Sequence, residues 1–309
     1  MDSEITIVTG FFKINREDWK GFAITDKQYL SYFKVWAKLK NKIIVYVETE
    51  EMRNEILSFR DSVGLLENTV VNVIPNCTSL VPQLFDSIRI ATEHPTQKLF
   101  RLRPSNPEVW NCTYNYIMLL KAWCVCDSID RGQASGMIAW VDFGYNHGGN
   151  PISPLSDFNY LWKYDFPDKI NLFTIQEPDN RPIFDIVFSM DTYIMGGVLV
   201  APDHLWHPFW EMIQSNTAAL NICGLSDDDQ NVFLMCYRQN PSLFALHKSY
   251  WSVQLKQFGG DHLIWTNESN KTNKGINLLK KSVKKARHLH QCILAAFRIG
   301  IHYSHLTIH

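Results

Sequence analysis

Met137-Ile138-Ala139-Trp140-Val141-Asp142-Phe143-Gly144-Tyr145-Asn146-His147-Gly148-Gly149 decides how the chain reads. An apolar run of strand length ends on a carboxylate, and Gly144, Asn146, Gly148 and Gly149 then favour turns. A buried strand that delivers an acid to the loop at its C-terminal end is how open α/β sheets build ligand sites. Asp142 is therefore the first candidate functional residue. The plainer reading of the same residue is an Asp that opens a turn.

Upstream of this stretch the pattern is β-α-β-α-β. Residues 5–8 form a short apolar strand that runs out at Thr9-Gly10, and a polar loop with Arg16 and Trp19 follows. Tyr29, Leu30, Phe33, Trp36, Ala37 and Leu39 recur at helical spacing. Residues 42–47 predict a second strand, 50–62 a charged helix and 69–74 a third strand closed by Pro75. Such alternation implies a parallel sheet with crossover helices, a class that commonly binds nucleotides. The GxGxxG and P-loop patterns are absent, which argues against a dinucleotide dehydrogenase or a P-loop phosphotransferase. Residues 80–110 show little regularity. Residues 114–128 predict a helix that carries Lys121 within an apolar stretch, where a lysine either faces a phosphate or snorkels at the helix edge.

Downstream, 150–182 is rich in Pro, Asp and aromatics and reads as a long irregular insertion with a short strand at 170–175. Long structured loops often face substrate, and Trp and Tyr around 140–164 suit stacking on a sugar or base. The strand-like run 191–201 contains Gly196-Gly197, which marks either a close approach by a ligand or by backbone, or a β-bulge. A helix is expected over 204–221. Asp227-Asp228-Asp229-Gln230 then leads into a helix over 231–237. One acid suffices to cap that helix and meet its dipole, so another is available for catalysis or sugar binding. His247 ends a short apolar run begun at Pro241.

The 309 residues are 46% hydrophobic and include ten Trp, a composition for a packed protein rather than a disordered one. Net charge is −1 but uneven: residues 268–309 hold eight Lys/Arg against one acid, a net of +7, which leaves about −8 on the rest. The body is thus a poor fit for nucleic acid. Lys280, Lys281, Lys284, Lys285 and Arg287, followed by Leu289, Ile293, Phe297 and Ile301, predict a basic, partly amphipathic helix. It is too short to span a bilayer and suits an anionic membrane surface; a helix docked on the body with a solvated basic face is the alternative. Seven scattered Cys without zinc spacing, and an N-terminus unlike a signal peptide, predict a reduced, cytoplasmic protein. The chain divides into a main domain over 1–266 and a basic tail over 267–309.

Taken together, several segments resemble the bacterial HtrL/YibB-like family, which is regarded as glycosyltransferase-like. They are Ile7-Val8-Thr9-Gly10-Phe11-Phe12, Arg16, Trp19, Tyr29-Leu30 and the run from Phe33 to Leu39; then Tyr114-Asn115-Tyr116, Lys121 and Trp140 to Gly144; then Gly196-Gly197, Asp229-Gln230 and Asn240 to Phe244. The resemblance implies a GT-A-type fold, a mixed, mostly parallel sheet with a Rossmann-like N-terminal half and flanking helices. It also implies a divalent metal, Mn²⁺ or Mg²⁺, held by Asp142 and His247, with His262 as a competitor. Gly144 stands where a second acid is usual, and Asn146 or His147 would have to compensate. Asp228 or Asp229 would act as catalytic base. Thr9, Arg16, Lys121, Asp142, Gly196, Gly197 and Gln230 would contact substrate.

The expected activity is transfer of a hexose from a nucleotide-sugar, such as a UDP-sugar, to a lipid-linked or oligosaccharide acceptor in bacterial surface polysaccharide synthesis. The protein would be cytoplasmic and peripheral on the inner membrane face. Inversion and retention stay open. The rivals are a non-catalytic glycan- or nucleotide-binding protein on the same fold and another metal-dependent phosphate-ester enzyme such as a nucleotidyltransferase.

Overall fold

The computed structural model describes residues 4–148, 151–266, 286, 289–290, 292–299 and 301. The expected polar linker at 267–277 and the lysine-rich start of the basic segment lie outside these residues.

Seven strands form one sheet in the order β3-β2-β1-β4-β6-β5-β7. They are β1 (Ile5–Phe11), β2 (Ile43–Val47), β3 (Thr69–Val73), β4 (Met137–Val141), β5 (Ile170–Thr174), β6 (Ile194–Pro202) and β7 (Phe244–Lys248). β3, β2, β1 and β4 run parallel, which makes the N-terminal half Rossmann-like. β6 is antiparallel to both its neighbours, and β7 pairs parallel to β5. The fold is thus mixed α/β with a mostly parallel sheet, as the strand–helix alternation predicts.

The helices are α1 (Asp26–Trp36), α2 (Glu50–Ser62), α3 (Pro82–Glu93), the single turns α4 (Thr96–Leu99) and α5 (Pro107–Trp110), α6 (Cys112–Asp130), α7 (Ile183–Ser189), α8 (Asp203–Ile222), α9 (Asp229–Gln239) and the short α10 (Gln254–Gln257). α3 emerges from the stretch that shows no clear period in sequence. Pro82 at its first turn costs no hydrogen bond there.

Both faces of the sheet are buried, because alternate residues of each strand point to opposite sides. Val8, Ile44, Tyr46, Ile138 and Trp140 join one core with α3, α6, α8 and α9. Ile7, Ile43, Val45, Ala139 and Val141 join the other with α1, α2 and the irregular segment that carries Phe158, Trp162 and Phe166. That segment is therefore a lid on hydrophobic core. Residues 151–182, the described part of that stretch, line neither of the cavities described below, which corrects the expectation that it faces substrate. Arg60 staples the second layer: its five N–H groups donate to Ala37, Leu39, Asn41 and Asn68 carbonyls and to Thr69 Oγ1, so burial leaves none of them unpaired.

Two local features aim the sheet at a site. After β1 the chain moves outward to β2 and β3, then returns to β4 on the other flank of β1. The crevice between the C-terminal ends of β1 and β4 is thus a topological switch point, where open α/β sheets bind ligands. On β6, one step along β5 from Leu172 to Phe173 corresponds to a jump from Leu199 to Met195. Gly196, Gly197 and Val198 are the extra residues of a bulge, and it lies beside the crevice. Of the two readings of the glycine pair, the bulge is the one observed here.

Candidate active site

The crevice holds a cavity of about 260 Å³, lined among others by Gly10, Arg16, Tyr29, Lys121, Asp142, Gly196 and Asp229. Asp142 follows β4 directly. Its N–H donates to Gly197 O at 2.8 Å, which ties the start of the loop to the bulge on β6. Its Oδ1 accepts from Trp140 Nε1 at 2.7 Å and from Lys121 Nζ at 2.9 Å. The side chain keeps 37% exposure, turned to the cavity it lines.

Lys121 reaches this point from the middle of α6 and is 2% exposed. Besides Asp142, Nζ donates to Asp229 Oδ2 at 2.6 Å and to Gly196 O at 2.8 Å. Three N–H groups meet three acceptors, so the buried ammonium is satisfied. It does not snorkel. Burial pushes its pKa down, but the carboxylates of Asp142 and Asp229 push it up further, and the net shift is upward. The ammonium thus clamps two acids from distant parts of the chain.

The Asp triplet at 227–229 is sorted by partner. Asp227 pairs with buried Arg101 at 3.2 Å and accepts from Asn231 Nδ2 at 2.8 Å, a structural role. Asp228 is the N-cap of α9, accepting the Gln230 N–H at 3.1 Å. Burial, then the charge of Asp229, pushes the Asp228 carboxyl well above the usual range. Asp229 is the first residue of α9 and turns inward to Lys121; burial raises its pKa while the ammonium pulls it back. Gly196 is what lets it in. A Cβ at 196 would stand 1.9 Å from Asp229 Oδ2.

Arg16 and Gln230 also line the cavity. Arg16 donates from Nε to Phe22 O at 3.0 Å and from Nη1 to the Tyr29 hydroxyl, and stacks 5.6 Å from the Trp19 ring. Among the described residues it forms no ion pair with a carboxylate. Gln230 accepts from Thr192 Oγ1 at 2.7 Å and donates to Asp228 Oδ2 at 3.3 Å. Thr9, expected to contact substrate, is fully buried on β1 and lines neither cavity.

His247 requires a correction. It sits on β7, separated from β4 by β6 and β5, or three strand spacings of about 4.8 Å each. Its Nε2 stands 2.8 Å from Asn171 Oδ1 and its ring packs against Phe173 and Phe258. Burial pushes its pKa down, favouring neutral imidazole. His262 is also elsewhere, against Asp157 O and the Tyr160 ring. Asn146 spends its amide on both backbone groups of Ile152. Only His147 lines the cavity.

The missing second acid has a steric cause. A Cβ at Gly144 would stand 2.8 Å from Tyr29 Cε1, because α1 lies across that turn. The capping box of Thr25 and Gln28 fixes where α1 begins. The protein therefore offers a divalent ion the Asp142 carboxylate but neither Gly144 nor His247. Among the described residues, groups of three His, Cys, Asp or Glu placed to hold a metal are absent. The position between the two carboxylates is taken by the Lys121 ammonium. These residues do not fit a preformed metal centre.

A second cavity, about 230 Å³, adjoins the first and shares Arg16, Tyr114, Gln230 and Trp251 with it. Glu108, Asn106, Arg103, Thr192, Asp228 and Asn231 give it mixed donors and acceptors. Tyr114, Trp251 and Arg103 have no signature in sequence that points to a site. Trp251, at 46% exposure, stands at the junction of the two cavities.

A family described as "Bacterial protein of unknown function (HtrL_YibB)" matches residues 3–259. The chain belongs to this family. Protein HtrL of Escherichia coli (strain K12) is 31% identical over 261 residues, covering 80% of this chain and 88% of its own. The HtrL_YibB match contains every residue of both cavities and stops before the basic tail. Among solved structures, a glycosyltransferase involved in the glycosylation of the major capsid of PBCV-1 aligns over 94% of this chain and 98% of its own, with a TM-score of 0.39 and 11% identity. That likeness is too distant to bear on the site.

Proposed function

We propose that this HtrL_YibB family member is a glycosyltransferase that moves a hexose from a nucleoside-diphosphate sugar to a hydroxyl acceptor. The observation that carries the reading is the Asp142–Lys121–Asp229 clamp at the switch point, with Arg16, which forms no ion pair with a carboxylate among the described residues, lining the same cavity. Gly197 leaves the wall open there, with only Asp142 Oδ2 within 4 Å of where a Cβ would stand, which lets a ligand approach backbone.

In this reading the donor occupies the first cavity. Asp142 and Asp229 hold sugar or ribose hydroxyls, since ionised carboxylates are strong acceptors. Arg16 faces the diphosphate. The bond between the anomeric carbon and the diphosphate oxygen breaks, and its electron pair stays on that oxygen. The acceptor oxygen forms the new bond to the anomeric carbon and gives up its proton. Cationic groups aimed at the developing charge supply the electrostatic part of the catalysis. The acceptor lies in the second cavity, and Asp228 faces it as the carboxylate that takes the proton. Its upward-shifted pKa suits a general base, a role that contributes on the order of 10²–10⁴-fold. A surface glycan is the acceptor class this reading carries.

The test is a screen of UDP- and other nucleotide-sugars that detects released nucleotide, repeated with Asp142→Ala and Asp229→Ala. Turnover that both variants abolish supports the assignment. Full activity in both, or turnover of nucleoside triphosphates instead, overturns it.

A further inference from the structure

The chain is helical again over 292–299. This helix touches the body through Ala295, which is 6% exposed, and through Arg298, whose Nη2 donates to Arg101 O at 2.6 Å. Ile293, Leu294 and Phe297 are 47%, 48% and 67% exposed, and Leu289, one turn earlier, is 63% exposed. At 3.6 residues per turn, Ile293, Leu294 and Phe297 fall within an arc of about 100°, and Ala295 lies about 150° from its centre. The apolar stripe thus points away from the body. Lone exposed apolar residues are ordinary, but a stripe of them on one helix marks an interaction surface.

Charge says what covers it. Lys280, Lys281, Lys284, Lys285 and Arg287 immediately precede this helix in sequence, and the segment 268–309 carries a net of +7 on a body of about −8. An apolar stripe that follows five basic residues in sequence matches the chemistry of a bilayer surface, acyl chains below anionic headgroups. Among the described residues, helices long and apolar enough to cross a membrane are absent. We infer that the C-terminal helix docks the protein flat on an anionic lipid bilayer. The dock is coupled to the site: Arg298 holds Arg101, and Arg101 holds Asp227, two residues before Asp229.

The test uses the full chain and vesicles of phosphatidylcholine with and without phosphatidylglycerol, read by co-sedimentation. Binding is expected only with phosphatidylglycerol, and it falls as salt rises. Lys284→Glu or Lys285→Glu each lowers the partition coefficient roughly fivefold or more. Ile293→Ser with Phe297→Ser lowers it at least tenfold with Tm unchanged, because both side chains are exposed. Equal binding to both vesicle types, or to neither, overturns the inference. So does a dimer in sedimentation velocity that the double variant dissolves, since the stripe would then serve self-association. None of these readouts depends on glycosyl transfer, so failure of one proposal leaves the other standing.

Discussion

Gly196 and Asp229 fit together as a backbone notch and the carboxylate that fills it: a methyl group at 196 would stand 1.9 Å from Asp229 Oδ2. Gly196→Ala should therefore expel Asp229 from the Lys121 clamp. The expected outcome is at least a hundredfold loss of kcat/KM with a stability cost of about 1–3 kcal/mol for the overpacking. Gly197→Ala is the control. Its Cβ would meet only Asp142 Oδ2, at an ordinary 3.7 Å. Stability by urea titration should be near wild type for Gly197→Ala and reduced for Gly196→Ala.

Lys121→Met leaves Asp229 buried without its cation. Breaking such a pair typically costs about 3–5 kcal/mol, more than the pair itself contributes over an apolar replacement. Lys121→Met with Asp229→Asn should recover most of the lost stability and none of the activity. Additive losses in that double variant would show that the two side chains are not coupled.

Gly144→Asp writes the missing acid back into the loop. It should lower Tm by several degrees, because the new side chain meets the Tyr29 ring. Tyr29→Ala in the same chain should restore part of the loss by opening that space. Wild-type Tm should be unmoved by Mn²⁺ without nucleotide; a rise at micromolar Mn²⁺ would reveal a metal centre that these side chains do not form.

Asp228 supplies a pH signature. Its folded pKa lies well above the ordinary carboxylate value of 3.8, so the folded state holds the proton more tightly than the unfolded one. The stabilisation is full below about 3.8 and is lost as pH rises through the folded pKa. Asp228→Asn keeps the cap on α9 but cannot titrate. Its stability relative to wild type should climb with pH across that window, and the acidic limb of the kcat/KM profile should vanish with it. A profile with the same limb in Asp228→Asn would remove Asp228 as the base.

Much of the candidate site was legible in the chain without coordinates. An acid after a buried strand, glycines within a strand and acids at a helix start each mark a local rule, and Asp142, Gly196, Gly197, Asp228 and Asp229 line the two cavities. His247 shows where local rules stop. It too ends an apolar run, yet β7 joins the far edge of the sheet beyond β5, and strand order is set by long-range pairing. Of the Trp and Tyr around 140–164 that read as stacking platforms, Trp162 closes a core with Tyr160 and Tyr164 packed against it, whereas Trp140 and Tyr145 line the first cavity.

The sequence by itself determined what period and composition carry: the β-α-β start, the mostly parallel sheet, the acid on β4, and a basic tail on an acidic body. Only the tertiary structure decided the partners. Lys121 lies 21 residues before Asp142 and 108 before Asp229, and nothing in that spacing says that one ammonium holds both. Gly144 looked like a lost ligand and proved to be the space into which Tyr29 packs. Backbone preference is a property of neighbours along the chain, whereas a buried charge must find its opposite wherever the fold brings one within hydrogen-bond reach.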